Sequence, residues 1–248
     1  MAEKGLEAIA NMEYPGRLII IGQNTMGKDV VVYAITGRSP SSQARKLVSK
    51  MNDYGSKSII VEPTNEEELK KGNPDLLVYP AMVIKGDGIA VSNGAQTKNI
   101  AEYLDGQLNP IKLLNTALAV DNNWEYEPDK PNYTPRISGC KNSNGAALSI
   151  IKRGSLGEVL RSYYEIPLIP GTGEMIATYT GENKNPLPSF AGDPLGVAII
   201  GETPEEIAGS IYEALKPKTD KDFRVSVAAA LIDGEKVYTS IINRHQTK

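Results

Sequence analysis

The sequence predicts an α+β protein in which β-sheets are stacked and helices lie outside them. Three observations carry this. Leu18-Ile19-Ile20-Ile21 and Val30 to Ile35 are apolar without alternation, as in strands covered on both faces. Strand-like segments outnumber helical ones along the 248 residues. The clearest helix, opening at Thr203-Pro204-Glu205-Glu206, has one apolar face (Ile207, Ile211, Leu215), stops at Pro217 and stands between strands. No repeat, low-complexity tract or linker divides the chain, so a single domain over 1–248 is expected.

In chain order, residues 1–13 read as an arm or short helix, and Tyr14-Pro15-Gly16-Arg17 as a turn. Gln23 to Lys28 joins the first two strands as a hairpin. The second strand ends at Gly37-Arg38-Ser39-Pro40-Ser41-Ser42, a polar loop whose arginine suits a phosphate or carboxylate. Ser58 to Val61 is a short strand, and Thr64-Asn65-Glu66-Glu67 a capping box for a brief helix. Leu76 to Ile84 is a longer strand in which Pro80 demands an edge position or a bulge. A helix is expected over about Ile111 to Val120. Asp121 to Pro135 is rich in Asn, Asp, Glu and Pro, and long connections of this kind tend to be functional or mobile. Further strands are expected at Ser149–Arg153, Tyr163–Glu165, Met175–Tyr179 and Val197–Ile200, with a Pro/Gly-rich loop over Asn183–Pro194. Val225–Ile232 and Val237–Ile242 close the chain as a hairpin turning at Asp233-Gly234.

Lys85 to Leu104 is the stretch most suggestive of a site. Ile89-Ala90-Val91 ends a buried strand, Ser92-Asn93-Gly94 turns, and Thr97 is positioned to cap a helix carrying Ile100, Ala101 and Leu104 on one side. Such a step can aim free N–H groups at an anion.

The totals limit the chemistry. A net charge of −3 without a basic stripe argues against nucleic acid as partner. No apolar run reaches membrane-spanning length, and Met1-Ala2-Glu3-Lys4-Gly5 leads into a polar segment, so a cytoplasmic protein is expected. The single cysteine, Cys140, excludes an intrachain disulfide and a multi-thiolate metal site. With His245 as the one histidine, close to the end, proton transfer falls to Glu, Asp, Lys, Tyr or water, and charge stabilisation to Arg, Asn and backbone amides.

Five segments in order, YPGR (14–17), GRS (37–39), SNG-x-QT (92–97), PNYTPRISG (131–139) and NPLPSF (185–190), resemble the IMP cyclohydrolase family of archaea and its bacterial relatives. The resemblance implies a four-layer α/β/β/α sandwich similar to the Ntn hydrolases. It also implies closure of 5-formamidoimidazole-4-carboxamide ribotide to inosine monophosphate (IMP), with loss of water. No metal or cofactor is implied; the partner is a small purine ribotide, and a homo-oligomer is compatible with the sequence. Arg17 and Ser39 within the matching segments, and Arg45 soon after the GRS segment, are expected at phosphate or ribose, beside Arg38. Asn93, Gly94, Gln96 and Thr97 are expected to wall the reacting base, with Tyr133 and Arg136 completing the pocket. Arg38, Asn93, Tyr133 and Arg136 are the candidates for the chemistry itself.

The chain departs from the family pattern at Val83, where relatives have arginine, at Lys98, where they have an acidic residue, and at Gln43, where they have a basic one. A purine-nucleotide-binding relative without turnover is therefore the alternative reading. An Ntn-type amide hydrolase would need a nucleophile at its mature N-terminus; Met1-Ala2-Glu3 offers none, and Cys140 would be the only thiol.

Overall fold

The computed structural model describes residues 4–51, 56–64, 67, 78–217 and 220–245. Its first half comprises α1 (Glu7–Ala10), β1 (Arg17–Gln23), β2 (Asp29–Thr36), α2 (Pro40–Gln43), β3 (Arg45–Met51), β4 (Lys57–Pro63), β5 (Tyr79–Lys85) and β6 (Gly88–Ser92). Next come α3 (Gln96–Glu102), α4 (Pro110–Asn115) and a π-helical turn (Thr116–Val120). The second half adds β7 (Arg136–Asn142), β8 (Gly145–Arg153), β9 (Val159–Glu165), β10 (Thr172–Ala177), β11 (Leu195–Ala198), α5 (Pro204–Ala214), β12 (Arg224–Asp233) and β13 (Lys236–Asn243).

The strands form two antiparallel sheets, so the protein is mixed α+β with few helices. One sheet has the order β11-β10-β1-β2-β12-β13, the other β3-β4-β5-β6-β7-β8-β9. Their facing sides share one apolar core that takes Ile19, Ile21 and Val31 from the first sheet and Ile59, Met82 and Ile137 from the second. Gly139 permits the close approach of β1 and β7. A Cβ there would meet Ile21 Cδ1 and Leu148 Cδ2 at 2.9 Å each, so both side chains would have to shift. α3 and α4 cover the outer side of the second sheet over a smaller core that includes Ala90, Ile100, Leu113 and Cys140. α5 lies outside the first sheet against β12 and β13. Its capping box is present as expected: the Thr203 side chain accepts from Glu206 N, and the Glu206 side chain returns to the N-cap amide.

Pro80 is accommodated by a bulge. β5 lies between β4 and β6, and its register with β4 shifts between Ile59, opposite Met82, and Ile60, opposite Pro80. Some local expectations need correction. Thr97 does not cap α3; Ala95 holds that position without a side-chain bond. The helix expected to run to Val120 ends at Asn115 and continues as the π-helical turn. Strands β3 and β7, each opening on an arginine, had no counterpart in the periodicity. The capping box at Thr64-Asn65-Glu66-Glu67 and the start of the strand expected from Leu76 lie outside the described residues. Among the described residues, no helix is long and apolar enough to cross a membrane.

Candidate functional site

Four described strands begin with an arginine: Arg17 opens β1, Arg45 opens β3, Arg136 opens β7 and Arg224 opens β12. Arg224 is taken up by Asp222 and Glu213, whereas the sandwich brings the other three together at one end. A strand of core-facing residues ends where its last side chain can still reach between the sheets, and a guanidinium there lies largely out of water. The Arg17 and Arg136 side chains are each 11% exposed. Between them lies the carboxylate of Glu127, with Oε1 at 3.7 Å from Arg17 Nη2 and 3.9 Å from Arg136 Nη1. Glu127 is carried inward by the Asp121–Pro135 connection, where its amide donates to Thr134 O at 2.9 Å. One donor is left over: Arg17 Nε is buried without a partner. Arg45 uses its Nε on Ser42 O at 2.9 Å.

Tyrosines complete the cluster. Tyr33 on β2 and Tyr79 on β5 share a hydroxyl hydrogen bond of 2.9 Å across the gap between the sheets. Tyr179 shares one of 2.6 Å with Thr134 Oγ1, and its ring stacks on Tyr14. Burial dominates the acid–base behaviour. It pushes the Glu127 carboxyl above its ordinary range, with Arg17 and then Arg136 pulling the other way. It lowers Arg136, with Glu127 opposing, and it lowers Arg45, which Arg17 lowers further. Burial also opposes charge on Arg17, but Tyr79, Glu127 and Tyr33 outweigh it and that group rises. Tyr33 is raised by burial and by Tyr79, and burial pushes Tyr179 up to about 12. The result is a buried patch of positive charge around a carboxyl raised by burial, with the raised phenols of Tyr33 and Tyr179 nearby.

The Lys85–Leu104 stretch contributes by holding Arg136. Gln96 Oε1 accepts from Arg136 Nη1 at 3.2 Å, Gln96 Nε2 donates to Asn93 Oδ1 at 3.1 Å, and Asn93 Nδ2 donates to Pro135 O at 2.9 Å. Gly94 leaves room for the guanidinium, since a Cβ would lie 2.8 Å from Arg136 Nη1. On its other side Arg136 lies over the Trp124 ring, with Cζ 4.8 Å from the centroid, and donates from Nε to Glu125 O at 2.7 Å. A cavity of about 330 Å³ opens there, bounded by Trp124, Tyr126 and Arg136. The amides at the start of α3 do not await an anion: Thr97 N donates to Gly94 O and Lys98 N to Ala95 O. Thr97 Oγ1 likewise turns inward to Gly94 O and Ser92.

The structure thus brings Arg17, Arg45 and Arg136 together, with Asn93, Gly94 and Gln96 behind Arg136. Arg38 stands at the rim, donating to Asn183 Oδ1 and Lys184 O and lying 5.7 Å from the Tyr14 ring centroid. Ser39 is exposed and caps α2. Tyr133 packs edge-on to Tyr126 and beneath Arg153 and is not among the groups seen to act on Arg17 or Arg136. Glu127, Tyr33, Tyr79 and Tyr179 were not singled out from the sequence. For Glu127 the available signal was its place in a long connection that leads into the PNYTPRISG segment. Cys140 is buried in the middle of β7 and its thiol is raised by burial, which suits packing and not nucleophilic attack.

The three departures lie off the cluster. Val83 belongs to the core on the helix side of its sheet, Lys98 is exposed on α3, and Gln43 donates to Gly37 O at 3.0 Å.

Comparison with known proteins agrees with the ordered segments. The profile of a family described as "IMP cyclohydrolase-like protein" matches residues 14–236. A protein of Methanococcus aeolicus named IMP cyclohydrolase is 28% identical over 230 residues, which span 90% of this chain and 97% of that protein.

Proposed function

Because the chain belongs to the IMP cyclohydrolase-like family, we propose that it closes the second ring of 5-formamidoimidazole-4-carboxamide ribotide to give IMP and water. The observation that carries this reading is the charge of the buried cluster. Three guanidiniums outnumber the carboxyls of Glu127 and nearby Asp129, and the excess of positive charge suits a phosphate. The buried, unpartnered Nε of Arg17 is a donor in want of an acceptor.

The reaction joins the carboxamide nitrogen to the formyl carbon. One proton leaves the carboxamide nitrogen and one leaves the formamide nitrogen, and both end on the departing oxygen. Bound between fixed cations, the two arms of the imidazole are held within reach of each other. A guanidinium steadies the negative charge that gathers on the formyl oxygen. Glu127, raised towards neutrality, takes a proton from nitrogen and gives one back. The Tyr33–Tyr79 hydroxyl pair supplies a hydrogen-bond donor close to Arg17. Val83, Lys98 and Gln43 stand away from these groups, which favours turnover over binding alone.

The fold reading that goes with this function is a four-layer α/β/β/α sandwich similar to the Ntn hydrolases. It is supported by α3 and α4 outside one sheet and α5 outside the other. The core shared by both sheets supports a single domain over 1–248. The partner is a purine ribotide and not nucleic acid or a membrane, and the setting is the cytoplasm. The test is direct: purified protein is mixed with the formamido ribotide and ultraviolet absorbance is followed. Formation of IMP above the uncatalysed rate is expected; no turnover would overturn the proposal.

A further inference from the structure

We infer that the bulge at Pro80-Ala81 is a positioning device that turns the Tyr79 hydroxyl into the arginine cluster. The inference rests on the functional reading above for the role of that cluster. Its basis is a count of residues. On β4, Ile59 and Val61 are two apart and both face the core between the sheets. Their partners on β5 are Met82 and Tyr79, which are three apart and also face that core. Side chains alternate along a strand, so residues three apart normally point to opposite sides. The extra residue is Ala81, which has no partner in the pairing with β4 or with β6, where the ladder begins at Met82 opposite Val91. Beyond the bulge the ordinary alternation holds: Met82 and Ile84 face the other sheet, and Val83 faces the helices.

With Met82 fixed and no bulge, Pro80 would lie opposite Val61, and Tyr79 would point with Val83 towards the helices. The hydroxyl could then neither pair with Tyr33 nor approach Arg17. Proline accounts for the irregularity, because it has no N–H to give to a ladder and is tolerated in a central strand only at such a break. Pro80 and Ala81 therefore need touch no ligand. They act through Tyr79, and Tyr33 receives the hydroxyl so delivered.

The test is a phase-restoring pair of variants in the full chain, with Tyr79→Phe as reference. Pro80→Val supplies an N–H and a strand-forming side chain, which favours a regular ladder with Tyr79 turned out. Deleting Ala81 instead removes the extra residue and leaves Tyr79 on the inner face. Steady-state cyclisation is measured for Tyr79→Phe, Pro80→Val, the Ala81 deletion and the combination, with circular dichroism to confirm folding. Tyr79→Phe is expected to lower kcat by about 10²–10⁴-fold, the scale of a lost proton-transfer group, with a smaller change in KM. Pro80→Val should match it, and the combination should recover to within about tenfold of the parent, a smaller deficit than a lost proton-transfer group leaves. Parental kcat in Pro80→Val, or no recovery in the combination, would overturn the inference. Should Pro80→Val not fold, the Ala81 deletion decides: near-parental kcat supports the device and a Tyr79→Phe-like loss overturns it. If the parent itself does not cyclise the ribotide, the functional reading fails. Crystal structures then still judge the bulge by whether Tyr79 faces out in Pro80→Val and in when Ala81 is also deleted.

Discussion

The two ends of the sandwich are both tied by buried charge, but in opposite proportions. At the far end, Lys141 near the close of β7 is 7% exposed and bridges the sheets, 3.2 Å from Asp29 and 3.3 Å from Asp87. Asp29 also accepts from Gln23 Nε2 at 2.9 Å. One ammonium meets two carboxylates, so the charge is answered from within the chain. At the near end, three guanidiniums share one buried carboxylate, at distances of 3.7 and 3.9 Å that are long for direct pairing. A closed clasp needs nothing more, whereas an open one costs stability until something negative fills it. On the proposed function, the difference separates a structural ion cluster from a binding site, although both are charged and at strand ends.

The largest expected effect breaks the near end by removing a cation whose charged form the fold favours. Arg17→Met should destabilise the protein by about 3–5 kcal/mol, as when a buried ion pair loses one partner. Urea denaturation should show this, and in the parent added inorganic phosphate should raise stability by binding only the folded state. Next come the other cations. Arg45→Ala and Arg136→Ala should each weaken IMP binding by about 1.5–3 kcal/mol, the scale of a hydrogen bond to a charged group. Calorimetry should also find a smaller loss for Arg38→Ala, whose guanidinium is spent on Asn183 and Lys184 at the rim. Smaller again is Lys141→Met. Asp87 is 45% exposed and can rehydrate, so the cost should be about 1 kcal/mol. Denaturation should detect that change while IMP affinity stays at the parental value, which makes the two ends separable by experiment.

The smallest effect is in pH. The folded pKa of Glu127 is raised above its unfolded value, so the folded state holds the proton more tightly. Its contribution to stability is therefore fully present below the ordinary carboxylate pKa and is lost as pH rises through the folded value. IMP affinity should follow the same sense, since a protonated Glu127 leaves the cations uncompensated. Denaturation and calorimetry across that window, parent against Glu127→Gln, should show a slope in the parent that the variant lacks.

Much of the scaffold could be read from the chain. The unalternating runs of β1 and β2 became central strands, the Thr203 box capped α5, and Pro80 announced its bulge. These are local rules, each carried by a few neighbouring residues. The site was legible in part. Arg17 and Arg136 could be picked out through the segments they belong to and Arg45 by its nearness to the GRS segment, and Asn93, Gly94 and Gln96 stand behind Arg136. Glu127 was not legible, because a carboxylate amid Asn, Asp and Pro reads as solvated. Only the turn that joins its amide to Thr134 O places it beside two arginines 110 and nine residues away in sequence. Tyr33 and Tyr79 were hidden for a related reason. Each looks like one more aromatic in a strand until the sheets are stacked and their hydroxyls meet.

The central claim is that the open, arginine-rich end receives the purine ribotide. A crystal structure of the protein with IMP tests it most directly. The account predicts the nucleotide at that end, its phosphate or ring oxygen within hydrogen-bond distance of Arg17, Arg45 or Arg136. IMP bound elsewhere, with those three guanidiniums and Glu127 unchanged and untouched, would contradict it.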